Sequence, residues 1–308
     1  MTEQISFIPI EELTPSFTIA ALSEVQDWGL LAAGIPDAWQ RSKGAGVTVA
    51  VLDTGAPDHV DLNDNLLPGL NCAGTRDEKD HQGHGTHVAG IIGAMQNGFG
   101  VVGVAPECKV LPVKVLNDSG MSSFEAVING IRVAIENGAD IINMSLGSPA
   151  APPKELHDII RDATSRGIIV IAAAGNDGGA VNYPAHYDEV IAVAALAKDG
   201  KMARFSSRGN EVDAVAPGTD IYSTYLNNQY ALLNGTSQAA PFVAGVCALL
   251  LSWSRNTPGV TPIQGYQEML QRLDDLCDPA GRIHSAGRDG AWGFGIPSFA
   301  NYMPWRSQ

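Results

Sequence analysis

Five short apolar runs set the limits on what this chain can become. Val47 to Leu52 reads VTVAVL, and Val110 to Leu116, Ile141 to Leu146, Ile168 to Ala174 and Val190 to Leu196 share its β-branched character. Runs that are apolar at successive positions, not only at alternate ones, are strands covered on both faces, as in a parallel sheet. Between them, Ser123 to Asn137 and Glu155 to Arg166 show helical spacing. In the first, Phe124, Val127, Ile128, Ile131 and Ile135 fall on one side. Gly138 and Gly167 stand where a helix end takes a left-handed residue. This alternation predicts an α/β fold, a doubly wound, mostly parallel sheet with helices on both faces. Ligands in such sheets collect at the carboxyl ends of the strands.

The chain has 308 residues, 45% of them hydrophobic, which is enough for a full core. No linker-like stretch or internal repeat divides it. The expectation is one domain over residues 21–308, preceded by a short extension over residues 1–20. Net charge is −14, from 19 Lys and Arg against 33 Asp and Glu. Such a surface repels phosphate backbones and anionic lipid, which argues against a nucleic-acid partner. No stretch of 18 apolar residues is present, so no membrane span is expected. The N-terminus, MTEQISFIPIEELTPS, lacks the basic start and apolar run of a secretory signal. Cys72, Cys108, Cys247 and Cys277 form no C-x-x-C pair, and free thiols suit a reducing compartment. These features predict a cytoplasmic protein.

Two further segments, Gly83 to Met95 and Thr236 to Ser252, are small and apolar all round, the signature of buried helices. Each begins at a chemically capable residue, His84 or Ser237, and Asp53 directly follows the first apolar run. A serine hydroxyl attacks at neutral pH only if its proton has somewhere to go. An imidazole takes that proton, and a carboxylate fixes the imidazole tautomer. A helix N-terminus at Ser237 directs N–H groups at a developing oxyanion. Asn176, just past Ile168–Ala174, carries an amide able to help. Each residue alone has a plain structural reading as turn residue, core histidine or N-cap. Together, in long small-residue contexts, they point to nucleophilic catalysis.

Those contexts carry a resemblance. VAVLDTG around Asp53, GHGTHVAG around His84 and NGTSQAAPFVAG around Ser237 resemble the three signatures of the subtilisin-like serine proteases, in that family's order Asp, His, Ser. MSLG at Met144–Gly147 and AAAGND at Ala172–Asp177 continue it. The likeness runs from about residue 21 to GFGIPSF near the C-terminus. It implies a serine endopeptidase acting on protein or peptide substrates, with triad Asp53, His84 and Ser237 and oxyanion residue Asn176. Thr236 takes the place of the family's supporting hydroxyl. Ser145, Leu146 and Gly147 resemble one substrate-pairing segment, and Gly120, Met121 and Ser122 the other, so that substrate adds as a middle strand. Phe124 takes the place of a pocket residue four positions before the cut, and Asn182 that of the primary-pocket floor. His87 resembles the family's structural histidine. A zinc site at His84 and His87 is rejected, because the spacing is i, i+3 with no Glu between.

Gln238 departs from the methionine that commonly follows the family's nucleophile, and the loop from Asn176 to Tyr183 is short. The resemblance also implies structural calcium. Asp61 and Asn97 match side-chain ligands, and the loop through Met95, Phe99 and Val101 adds carbonyls. Ser23-Glu24 replaces a glutamine ligand. A weaker cation site is expected at Asp213 with the carbonyls of Ala185, Tyr187 and Val190. The stretch Phe7-Ile8-Pro9-Ile10 resembles the N-terminal extension of intracellular subtilisins, which implies that the chain's own first residues cover the groove as an inhibitor. Pro9, without an N–H and with a fixed φ, would hinder cleavage there. A dedicated maturation protease, a transpeptidase or a catalytically silent binding scaffold remain alternatives.

Overall fold

The computed structural model describes residues 4–6 (backbone), 23–277 and 290–299. A short strand, β1 (Gln4–Ser6), comes first. Short helices α1 (Trp28–Ala32) and α2 (Ile35–Ala38) lead into β2 (Thr48–Asp53). Then follow β3 (Leu70–Asn71), α3 (His84–Gly93), β4 (Lys109–Lys114), β5 (Met121–Ser123) and α4 (Phe124–Glu136). The alternation continues through β6 (Ile141–Met144), α5 (Lys154–Ser165), β7 (Ile169–Ala173) and β8 (Ile191–Leu196). It ends with β9 (Val212–Pro217), β10 (Ile221–Tyr225), β11 (Gln229–Leu233), α6 (Thr236–Asn256) and α7 (Gly265–Leu276).

Seven strands make one sheet in the order β3-β4-β2-β6-β7-β8-β9. Every pairing in it is parallel. Side chains alternate between the two faces, as strand geometry requires. Val49, Val51, Ile141, Ile171 and Val193 join α3 and α6 in one core. Ala50, Leu52, Ile142, Val170 and Ala194 join α4 and α5 in the other. Both faces are covered, which is why these strands read as nearly continuous apolar runs.

The chain leaves β2 to build β4 on one side and later returns to build β6 on the other. The sheet order therefore reverses at β2, and the crevice this opens at the strand carboxyl ends is where doubly wound folds bind ligands. Asp53, the last residue of β2, stands at that point. Gly138 and Gly167 lie just past α4 and α5 with φ of 71° and 84°, as expected for left-handed helix ends. α6 is long and apolar enough to cross a membrane, yet it is almost wholly buried inside the protein.

β1 is not in the large sheet. It pairs antiparallel with β5, with Gln4 opposite Ser123 and Ser6 opposite Met121. Phe7 to Ile10, and the boundary expected near residue 20, lie outside the described residues.

Candidate active site

The end of β2 and the start of α3 are tied by a dense polar network. Gly83, the residue before α3, has no side chain to cap the helix. Its φ is 102°, and a Cβ there would meet the Tyr225 ring at 2.5 Å, so only glycine fits. Asp80 supplies the cap from three residues away. Its Oδ1 accepts from Gly83 N (2.8 Å), Gln82 N (3.0 Å) and Thr54 Oγ1 (2.9 Å). Its Oδ2 accepts from Thr86 N (2.8 Å) and Thr86 Oγ1 (2.7 Å). Thr54 Oγ1 in turn accepts from Gly85 N at 2.8 Å. The residue after Asp53 is thereby fastened to the residue after His84.

That fastening sets the central contact. His84 Nδ1 donates to Asp53 Oδ1 at 2.8 Å, with both side chains buried. The carboxylate can only accept, so Nδ1 carries the hydrogen and Nε2 is left as the base. Burial is the largest influence on His84 and pushes its pKa down. The charge and hydrogen bond of Asp53 and the charge of Asp80 together outweigh it, so the pKa lies above the ordinary value. His87, one turn on, is fully buried and shares its Nε2 between Ile221 O and Ala231 O, each at 3.1 Å. Burial takes its pKa down to about 3, which keeps it neutral and structural.

Ser237 lies in the first turn of α6, where backbone N–H groups have no intrahelical acceptor. Its hydroxyl donates to Ser145 O at 3.2 Å, and the Ser145 hydroxyl donates back to Ser237 O at 2.8 Å. The segment after β6 and Ser237 are thus locked face to face. Asn176 Oδ1 accepts from Thr236 N (2.9 Å) and Thr236 Oγ1 (2.8 Å). These bonds fix the amide plane and commit Nδ2 to the other side. α3 and α6 pack together and against the sheet, with His84 tied to the end of β2 through Asp53 and Ser237 to the segment after the neighbouring β6 through Ser145.

The remaining expected residues fall around this centre. Gly120 (φ 72°) turns the chain into β5, which carries Met121 and Ser122. Phe124 is buried at the start of α4, and Leu146 and Gly147 are buried after β6. Asn182 is buried, and its N–H donates to Ala174 O at 2.9 Å. Its Nδ2 lies 2.8 Å from the place a Cβ on Gly175 would take, so it packs beneath the strand end that leads to Asn176.

Two of the residues expected to hold calcium, Asp61 and Asn97, come together. Asp61 is fully buried, and Asn97 Nδ2 donates to its Oδ1 at 3.1 Å. Asp61 Oδ2 accepts from Val101 N (2.9 Å) and Tyr230 Oη (2.8 Å). Gly98 N donates to Glu24 Oε2 at 3.1 Å, so Glu24 reaches the same loop. Asp61, Glu24 and Asn97 thus meet at one loop, and their oxygens are the hard donor type that calcium takes, although both Asp61 oxygens here accept from protein groups and Asn97 Oδ1 accepts from Phe99 N at 3.1 Å. Among the described residues, no three His, Cys, Asp or Glu side chains cluster as a metal site. Asp213 Oδ2 accepts from Ala192 N at 2.9 Å, at the start of β8. The Tyr187 carbonyl, expected with it and with Ala185 and Val190, accepts from Val190 N at 3.0 Å.

Two contributors escape a reading of motifs. Asp80 had a signal, an acidic residue four positions before His84 at a helix start. Lys114 had none. It is fully buried, pairs in register with Asp53, and its Nζ donates to Thr54 O and, at 2.9 Å, to Asp118 Oδ1.

A carboxylate-oriented imidazole, a serine at a helix start and a fixed asparagine amide are the groups an Asp-His-Ser hydrolase uses. Comparison with known proteins gives the family, since the Subtilase family matches residues 44–281, and the chain belongs to that family. It is 41% identical over 275 residues to the minor extracellular protease Epr of Bacillus subtilis (strain 168), covering 88% of this chain and 41% of that one. It is 44% identical over 243 residues to the M-protease of Shouchella clausii (strain KSM-K16), covering 77% and 63%. It is 47% identical over 257 residues to an intracellular serine protease of Paenibacillus polymyxa, covering 78% of each. The chain thus spans less than two thirds of the first two relatives.

Proposed function

We propose that this protein hydrolyses peptide bonds through an acyl-enzyme on Ser237. The observation that carries the reading is the buried 2.8 Å contact between His84 and Asp53 at the end of β2, with α3 packed against the helix that begins at Ser237. His84 Nε2 takes the Ser237 proton as Oγ attacks the scissile carbonyl. Asn176 Nδ2 and the Ser237 N–H receive the oxyanion. His84 then returns the proton to the leaving amine. A fluorophosphonate probe tests this directly. It should label Ser237, and a peptide library should be cut at internal bonds. A protein that takes no label and cuts nothing would end the reading.

The protein is further proposed to be made as a self-inhibited precursor that works inside the cell. In support, β1 pairs with β5, the strand where the resemblance puts substrate. The described cysteines are all free, and one relative is named an intracellular protease. A chain starting near Ala21 should be active at once, and Pro9→Ala should shorten the lag of the full-length protein. Equal initial rates for the full-length and shortened chains, with an intact N-terminus shown by mass spectrometry, would remove the inhibitor role.

Calcium is proposed to rest on Asp61, Asn97 and the carbonyls of Met95, Phe99 and Val101, with a weaker cation at Asp213. An ion that binds only the native state adds stability by mass action and takes no part in proton transfer. Excess chelator should therefore lower the melting temperature. An unchanged melt, with metal removal verified, would count against the site.

A further inference from the structure

Gln238 follows the nucleophile in the first turn of α6 and is fully buried. Among the described residues, neither its Oε1 nor its Nε2 has a hydrogen-bond partner. Two other buried or half-buried polar side chains of the site contrast with it. Asp80 accepts from five donors, and Asn176 Oδ1 accepts from two. A carboxamide withdrawn from water with both ends unspent costs stability, and the methionine suggested by the family resemblance would avoid that cost. The polar group therefore calls for a partner that arrives later.

The surroundings say where. The place a Cβ on Gly235 would take lies 2.9 Å from Gln238 Oε1, 3.1 Å from Asn176 Nδ2 and 3.5 Å from Ser237 N. The Gln238 carboxamide, the Asn176 amide and a first-turn N–H of α6 thus border one small space, kept open because residue 235 is glycine. With no hydrogen bond holding it, the Gln238 carboxamide can turn about its terminal torsion and present its NH2 there.

We propose that Gln238 is a further catalytic residue, whose Nε2 donates to the tetrahedral oxyanion beside Asn176 Nδ2 and the Ser237 N–H. The donor idle in the free protein is satisfied as negative charge develops on the carbonyl oxygen. An interaction made in the transition state and absent from the ground state lowers the barrier without tightening substrate binding. The inference rests on the acyl-enzyme reading above.

The test uses the full-length protein, incubated until its activity is constant, with Gln238→Met and Gln238→Glu beside the wild type. Four quantities are read: kcat and KM on a peptide anilide, inhibition by the matching peptide boronic acid, inhibition by the product peptide, and melting temperature. Gln238→Met should lower kcat about tenfold with KM nearly unchanged, because one of several oxyanion donors is lost. Inhibition by the boronic acid, whose adduct is tetrahedral, should weaken in step, while product binding and melting temperature should not fall. Gln238→Glu keeps the shape but sets a carboxylate against the oxyanion, so its kcat should be lower still. Combined with Asn176→Leu, the Gln238→Met loss should be less than multiplicative, since both act on one oxygen. Wild-type kcat in Gln238→Glu, or kcat and boronate affinity in Gln238→Met within about twofold of wild type, would overturn the proposal. Failure of the hydrolase reading looks different, because the wild type itself would then neither cleave nor take a fluorophosphonate.

Discussion

α6 and α5 cover opposite faces of one sheet and obey opposite rules. Every α6 residue from Thr236 to Ser252 is buried, whereas α5 buries only Leu156, Ile160 and Ala163. α5 shows the one apolar stripe of a helix with water on its far side. α6 has the sheet on one side and α3 and α7 on others, so small residues take up most of its surface. Gly245 shows how close the packing is, since a Cβ there would lie 2.4 Å from Val104 Cβ. A helix gripped on all sides cannot shift its first turn, and the nucleophile sits in that turn. Packing holds α6 on all sides and α5 on one.

Substitutions can break this comparison, and the largest effect should come from the first turn of α6. Ser237→Ala should lower kcat on the order of a millionfold while leaving the fold intact, as turnover and melting measured together would show. Asn176→Leu, which removes the amide held by Thr236, should cost about a hundredfold to a thousandfold in kcat. If either variant turned over like wild type, the first turn of α6 would not be the reaction centre.

Within the helix body the currency becomes stability. Gly245→Ala should destabilise by about 1–3 kcal/mol through overpacking, read from a denaturant midpoint. On α5, Arg161→Ala removes a mostly exposed side chain whose contact with Glu189 is 3.7 Å. It should change stability by less than about 0.5 kcal/mol. Equal effects at the two sites would erase the contrast.

α3 holds a finer comparison, between two histidines one turn apart. His84 is held above the ordinary histidine value of 6.5, so its protonated form favours the fold. Its contribution to stability is full below that value and is lost as pH rises through its folded pKa. Activity needs the neutral ring and should fall as pH drops through a midpoint above 6.5. His87, down to about 3, works the other way. Its contribution is full above 6.5 and is lost as pH falls toward 3. Stability and activity measured across this range should therefore part company. An activity midpoint below 6.5 would contradict the environment described for His84.

Much of the sheet was legible because burial on both faces leaves a mark on each residue. The apolar runs at Val47–Leu52, Ile141–Leu146, Ile168–Ala174 and Val190–Leu196 match β2, β6, β7 and β8 to within a residue or two. β9, β10, β11 and α7 go unassigned from sequence. Asp213 and Pro217 interrupt the apolar signal of β9. β10 and β11 form a hairpin whose turn carries Asn227 and Asn228 at φ of 59° and 56°, a signal that no Gly announces. α7 shows Met269, Leu273 and Leu276 at helical spacing and sits beside no chemical motif.

The sequence by itself determined the kinds of chemistry present: a carboxylate ending a buried strand, an imidazole and a hydroxyl opening two buried helices, and an amide after another strand. Those are properties of residue type and local period. Tertiary structure decided which groups share a space. The Thr54–Asp80–Thr86 network joins residues of separate elements. Lys114 is buried beside Thr54 because β4 pairs with β2, 60 residues away in the chain. Gln238 is buried beside Asn176 and Ser237 because α6 meets the end of the strand that leads to Asn176. Such outcomes depend on distances across the fold, and local sequence does not carry them.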